Sequence, residues 1–258
     1  MSRFEDKIGK NIIEVKRLSH IYGNTDRGIK NISFGVKPAE FIVVAGQNGS
    51  GKSTLFRHLN GLLSPTSGEV WIHGKTVSSN LEYARQIVGM IFQDADCQIV
   101  GQTVFEDAAF GPENLRLPIG EIHKRTNNAL KQLGLLHLKD QNPATLSGGE
   151  KRRLAIAGVL TMRPEVIVLD EPFSNLDYAG ICDLLSSIIW LHQAGHTIIL
   201  STHDIEKVIF YASRMIIIHQ GCIVGDDKPE ILLKEVEKFG IREPCLSKLG
   251  MNIIPWDK

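Results

Sequence analysis

The sequence predicts an α/β fold: a mixed sheet with antiparallel strands at its N-terminal side and a helical subdomain inserted within it. Three observations carry this. Apolar runs too short for helices, Phe41 to Ala45, Val166 to Leu169 and Thr197 to Leu200, read as fully buried strands. The first of them enters a glycine-rich loop and then a helical stretch from about Lys52 to Leu62, the strand, loop and helix order of a parallel sheet. Between Asp94 and Leu160 no strand pattern occurs and helical periodicity takes over, as in Ile122 to Leu133 closed by Gly134.

The remaining elements follow in order. Ile12 to Val15 and Ile32 to Val36 read as half-buried strands, with Gly23, Asn24 and Gly28 punctuating the turn between them. Val70 to Ile72 and Val88 to Phe92 are further strands. A helix is expected from about Cys182 to His192, ending near Gly195. Met215 to Ile218 and Cys222 to Val224, separated by His219, Gln220 and Gly221, form a hairpin, and a helix is expected from Pro229 to Phe239. The expected organisation is one domain over 12–240, with core 12–93 and 161–228 and a helical lobe at about 94–160. Residues 229–258 form a C-terminal helix and short tail, of which 241–258 carry no assignable pattern.

With 258 residues, 43% of them apolar, the chain is long enough to bury a sizeable core. Lys plus Arg and Asp plus Glu number 29 each, so no global basic field exists to hold nucleic acid or anionic lipid. No nucleic-acid partner is expected. Cys97, Cys182, Cys222 and Cys245 are irregularly spaced, without the Cys-x-x-Cys pairs of a zinc site, and read as free thiols of a reducing compartment. Met1 to Lys10 lack the apolar stretch of a secretory signal, and no apolar run approaches the about 20 residues needed to span a bilayer. Any membrane attachment is expected to go through another protein.

Gly46-Gln47-Asn48-Gly49-Ser50-Gly51-Lys52-Ser53, with Thr54 next to it, fits a phosphate loop: two glycines separated by four residues, then Lys and a hydroxyl residue. Gly46, Gly49 and Gly51 permit the backbone geometries that curl successive N–H groups round a phosphate, at the positive end of the following helix. Lys52 can bridge β- and γ-phosphates, and the Ser53 hydroxyl can hold Mg²⁺. A P-loop NTPase core is therefore expected, although this loop alone leaves GTPases, kinases and many motors open. Val166 to Leu169 delivers Asp170 to a strand's carboxyl end, where it can hold Mg²⁺ through water. The adjacent Glu171 is placed to polarise an attacking water as catalytic base.

Leu146-Ser147-Gly148-Gly149-Glu150 opens another helical stretch, Lys151 to Leu160, and makes a second anion cradle. With one cradle already present, the γ-phosphate bound here is expected to belong to a second subunit.

With these motifs in this order, the chain resembles the ABC ATPase family from about Ile12 to Phe239. The resemblance implies that Tyr22 stacks on adenine and that Gln93 senses Mg²⁺ and the membrane partner. It implies that Ser147, Gly148 and Gly149 are the signature, that Ser174-Asn175-Leu176-Asp177 is the D-loop, and that His203 is the switch histidine contacting the γ-phosphate. It further implies that two cassettes pack head to tail with ATP between them. Gly89 to Gln93, Gln98 to Val100 and Thr103 to Asn114 are similar to ATPases of energy-coupling factor importers, which take up vitamins or metal ions such as cobalt and nickel. The resemblance thus implies an ATPase peripheral to the cytoplasmic face of the cell membrane. Its implied partners are a second ATPase subunit, identical or not, a transmembrane coupling protein docking on Gln93 to Asn114, and a substrate-binding membrane protein. Glu150, Asn175 and Tyr178 depart from the family's common residues, which would fit pairing with a different cassette. The rivals are a soluble ABC ATPase acting on DNA or ribosomes, and a regulator that binds nucleotide without turnover. The first would carry a long coiled-coil insertion or tandem cassettes, and the second would lack Glu171 or His203.

Overall fold

A computed structural model describes residues 11–23 and 27–256; Asn24, expected in the first turn, lies outside them. In chain order the elements are β1 (Ile13–Ile21), β2 (Gly28–Val36), β3 (Phe41–Ala45), α1 (Lys52–Leu59), β4 (Ser67–Ile72), β5 (Lys75–Thr76), α2 (Leu81–Ile87), β6 (Val88–Ile91), α3 (Val104–Asn114), α4 (Ile119–Gln132), α5 (Gly148–Leu160), β7 (Val166–Asp170), α6 (Tyr178–Gln193), β8 (Thr197–Thr202), β9 (Arg214–His219), β10 (Cys222–Asp227), α7 (Pro229–Leu232) and α8 (Cys245–Lys248). The expected α/β class with a mixed sheet and antiparallel N-terminal strands is what forms. One sheet has the order β2-β1-β4-β5, antiparallel throughout, and the other β10-β9-β3-β8-β7-β6. In the second, β9, β3, β8, β7 and β6 run parallel, and β10 closes the edge antiparallel to β9.

The continuous apolar runs are explained by burial of both sheet faces. On β3, Phe41, Val43 and Ala45 join one core with α4, α5 and α6, while Ile42 and Val44 join another with Leu55, Phe56 and Leu59 of α1 and the antiparallel sheet. Each Val, Ile, Leu or Phe side chain so withdrawn from water contributes roughly 1.5–3 kcal/mol. The parallel register then brings three chain segments to one sheet end. Ala45 of β3 pairs with Thr202 of β8, and Ser201 of β8 pairs with Asp170 of β7. The phosphate loop, the acid pair and His203 therefore leave neighbouring strands at their carboxyl ends, where open α/β sheets place ligand sites.

Several boundaries differ from expectation for local reasons. α1 stops at Leu59 rather than Leu62 because Gly61 takes φ +71°, a left-handed stop. α6 starts at Tyr178, not Cys182, because the Asp177 carboxylate accepts the N–H of Gly180 at 2.9 Å as an N-cap. β1 runs to Ile21 with register shifts between Val15 and His20, and these broke the alternation that marks a strand. The helix expected over Pro229 to Phe239 is α-helical only to Leu232, and Leu233–Phe239 is a 3-10 helix. Leu233, Val236 and Phe239 recur every three residues on the core side, the period of a 3-10 turn. No helix among the described residues is long and apolar enough to cross a membrane.

Candidate active site

The phosphate loop links β3 to α1. Gly51 is the N-cap of α1 at φ +111°, a conformation side chains rarely adopt, and no side chain caps this helix end. The first turn holds no acid, and the first intrahelical bond is Leu55 N–H to Gly51 O at 2.9 Å. The N–H groups ahead of Leu55 therefore have no acceptor within the helix, which makes this end a site for an anion. The loop is held from behind: Gly221 N–H donates to Ser50 O at 3.0 Å, and Lys30 N–H donates to Gly221 O at 2.8 Å.

Lys52 points back under the loop. Its ammonium donates to Gly46 O at 2.7 Å and Gln47 O at 3.1 Å, and lies 3.1 Å from Glu171 Oε1. The other carboxylate oxygen, Oε2, is 2.9 Å from His203 Nδ1. Glu171 thus connects a buried lysine to a half-exposed histidine. Its backbone sits at φ +45°, which for a non-glycine residue stores strain on the order of 1–3 kcal/mol. Glu171 N–H donates to Ser201 Oγ at 2.9 Å, and that hydroxyl donates to Asp170 Oδ1 at 2.6 Å. Ser201 therefore ties the Asp170 carboxylate to the backbone of Glu171.

A cleft of ≈ 920 Å³ opens here, within the roughly 300–1,000 Å³ range of small-molecule sites. Of the expected site residues, Tyr22, Asn48, Gly49, Gly51, Lys52, Ser53, Thr54, Gln93 and Glu171 line it. Gly46, Gln47 and Ser50 shape the loop behind it. Asp170 is buried beneath Glu171 and does not line the cleft, and His203 reaches the site through Glu171. Tyr22 is held at the cleft by its hydroxyl, 3.2 Å from Thr54 Oγ1, with His20 edge-on against its ring at 4.5 Å.

These residues fit a magnesium–triphosphate. The uncapped end of α1 and Lys52 offer donors to phosphate, and Ser53 and Gln93 present hard oxygens in the same cleft as Glu171. No group of three His, Cys, Asp or Glu side chains suited to a metal exists among the described residues, so the ion would depend on phosphate oxygens as well.

The ABC transporter family model matches residues 29–174, more than half of the chain. The chain belongs to the ABC transporter ATPase family. It is 43% identical over 244 residues to the energy-coupling factor transporter ATP-binding protein EcfA of Methanocaldococcus jannaschii, covering 92% of this chain and 88% of that protein. EcfA of Methanosarcina acetivorans is 40% identical over 257 residues, covering 96% and 93%. The solved structure of cbiO1 from Clostridium perfringens, part of the ABC transporter complex cbiONQ, matches with a TM-score of 0.80 at 36% identity, covering 93% of this chain and 98% of that one.

In this ABC ATPase the second cradle stands apart from the first. Ser147, Gly148, Gly149 and Asp177 do not line the Lys52 cleft. Ser147 is the N-cap of α5: its Oγ accepts Glu150 N–H at 3.3 Å, while Glu150 Oε2 accepts Ser147 N–H at 2.7 Å. Glu150 is thus half of a capping box, a Ser-x-x-Glu signal legible in the sequence. That backbone hydrogen bond, then the Ser147 side chain, holds its carboxyl below the usual glutamate range. Asn175 sits at φ +60°, where Asn is tolerated better than most side chains.

The sequence motifs did not point to Arg27, Lys30, Gln220 or Gly221, which complete the cleft of the ABC cassette. Arg27 and Lys30 flank Gly28 and Ile29 in an ordinary turn-and-strand pattern, so no local signal marked them. Ser201 was legible only as the residue after a strand.

Proposed function

We propose that this chain is the ATP-hydrolysing subunit of an energy-coupling factor importer, driving uptake of a micronutrient such as a vitamin or a cobalt or nickel ion. The observation that carries the hydrolytic reading is Glu171, a buried carboxylate held between Lys52 and His203 at the edge of a nucleotide-sized cleft. In this reading the open N–H groups of α1 and Lys52 bind the β- and γ-phosphates, and Tyr22 stacks on adenine. Ser53, Gln93 and, through water, Asp170 would hold Mg²⁺, which when bound neutralises charge developing on the phosphates. Glu171 accepts the proton of the attacking water, a contribution of typically ~10² to 10⁴ in rate. His203, tied to Glu171, faces the γ-phosphate and keeps the carboxylate aimed.

The signature Ser147 to Gly149 lies away from this chain's own cleft, which supports a head-to-tail pair in which each cradle serves the other cassette's ATP, with Asp177 at the junction. Closure by ATP then follows from phosphate contacts that only the paired state offers.

A transmembrane coupling protein would dock at a groove of ≈ 880 Å³ between α2, α3 and α5, lined among others by Val100, Phe110, Arg116 and Met162. Val100 and Phe110 are 63% and 52% exposed there. Asp107 Oδ1 pins the loop by accepting the N–H groups of Val100 at 2.8 Å and Gly101 at 3.0 Å. This would place the chain peripherally on the cytoplasmic face of the membrane, beside a coupling protein and a substrate-binding membrane protein.

Two experiments test this. A Glu171→Gln variant in Mg-ATP should retain nucleotide and pair while losing turnover by about 10² or more; unimpaired hydrolysis would refute the catalytic assignment. Purification of the tagged chain from membranes should bring a coupling protein and a small hydrophobic membrane protein, whereas ribosomes or DNA in their place would overturn the importer reading.

A further inference from the structure

Arg152, in the second turn of α5, is a buried cation whose hydrogen bonds go to backbone carbonyls rather than to a carboxylate. It is 6% exposed, and its guanidinium donates to Ser174 O at 3.0 Å and, more loosely, to Glu171 O at 3.5 Å. Burial lowers its pKa, and the charge of Asp94 offsets only part of that cost. An apolar side chain would fill the same space without the penalty of burying a charge. What it could not do is hold two carbonyls of one turn at once, which the planar fork of a guanidinium can.

That turn is a special one. It begins at Glu171 and is closed by Ser174 N–H donating to Glu171 O at 3.2 Å. Glu171 at φ +45° and Asn175 at φ +60° bracket it, so two non-glycine residues in the left-handed region flank three residues of chain. Such strain persists only where surrounding contacts over-determine it. A half-open pocket of ≈ 300 Å³, lined by Asp94, Lys151, Arg152, Ser174 and Asn175 among others, leaves a gap where α5 meets the turn. The guanidinium is a tether across that gap.

We propose that Arg152 is a positioning residue: its fork holds the strained Glu171–Ser174 turn so that the Glu171 carboxylate meets Lys52 and His203, and thereby ties the acid to the helix that begins at Ser147. Any shift of α5 is then transmitted to Glu171 of the same chain, so engagement of one cassette's signature adjusts its own hydrolytic centre. This rests on the assignment of Glu171 as the water-activating base.

The test uses the full-length chain with Mg-ATP, measuring kcat, KM, nucleotide affinity and thermal midpoint for Arg152→Met, Arg152→Lys and Glu171→Gln. Misplacing a reacting group by about 1 Å costs up to about 10²-fold, so Arg152→Met should lower kcat about tenfold or more with nucleotide affinity changed less than about threefold. Arg152→Lys, keeping the charge but lacking the fork, should recover only part of kcat. A folded Arg152→Met variant with native kcat, or equal losses of affinity and turnover, would overturn the proposal. Should Arg152→Met not fold, full kcat in Arg152→Lys would overturn it equally. If Glu171→Gln itself keeps turnover, the failure lies with the base assignment and not with the tether.

Discussion

Lys52 Nζ lies 3.1 Å from Glu171 Oε1, and the two side chains are almost wholly out of solvent, 5% and 7% exposed. A buried pair of this kind makes its partners interdependent, because removing one leaves the other charge uncompensated in a low-dielectric site, at a cost of roughly 3–5 kcal/mol. A triphosphate that binds Lys52 competes with Glu171 for the same ammonium.

Lys52→Met should therefore destabilise the chain, and adding Glu171→Gln should restore much of the loss, since the orphaned carboxylate is then gone. Urea denaturation of the two single variants and the double variant measures this as a coupling of about 1–3 kcal/mol. Additive effects would show that the pair does not interact. Lys52→Ala should also weaken ATP binding at least about tenfold, from loss of a charge-assisted hydrogen bond of roughly 1.5–3 kcal/mol.

His203→Ala should lower kcat by about 10² while changing nucleotide affinity by less than about threefold, because the ring touches Glu171 at 2.9 Å and does not support the loop. Steady-state hydrolysis alongside equilibrium nucleotide titration separates the two effects. An equal loss in both would assign the histidine to binding.

Glu150→Ala should cost about 1 kcal/mol by removing half of the capping box, whereas Glu150→Gln, whose amide oxygen can still accept Ser147 N–H but without the charge, should lose only part of that. Because the folded carboxyl titrates below its unfolded value, this contribution is present above the ordinary glutamate range and lost as pH falls through the lowered folded value. Thermal midpoints of both variants at neutral pH decide the point: equal losses would place the effect in charge rather than capping.

His58 supplies a second pH dependence, of opposite origin. It is 1% exposed on α1, and burial, followed by the charge of neighbouring His20, lowers its pKa from 6.5 to about 4 against a smaller opposing pull from the backbone at Leu63. Between those values the unfolded chain binds a proton that the folded chain refuses, so stability falls as pH drops from 6.5 to about 4. Urea denaturation at pH values spanning this window should show a smaller decline for His58→Leu than for the native chain. Parallel pH profiles would rule out His58 as the source.

Phe110→Ser should leave hydrolysis by the isolated chain unchanged while reducing recovery of the chain with membranes, since Phe110 is half exposed at the groove and absent from the cleft. Undiminished membrane recovery would move the docking surface elsewhere.

The phosphate loop and the strand that delivers Asp170 and Glu171 were legible because each is a local pattern: a glycine spacing, or an apolar run ended by an acid. The same holds for the hairpin after Arg214. The Ser147 cap partner Glu150 was equally local, a Ser-x-x-Glu spacing, yet its capping role is overshadowed in the sequence by the glycines it surrounds. Helix ends were less legible where one residue decides them, as Asp177 does for α6 and Gly61 for α1.

The sequence by itself determined the fold class, the phosphate cradle and the kind of acid beside it, because these depend on residue type at short, regular spacing. Only the tertiary structure decided that Ser201 ties the Asp170 carboxylate to the Glu171 backbone, that Arg152 donates to the carbonyls of the Glu171 turn, and that Arg27, Lys30 and Gln220 complete the cleft. Those contacts depend on the parallel register of β3, β8 and β7 and on the seating of α5 against their ends, and neither leaves a periodic mark along the chain.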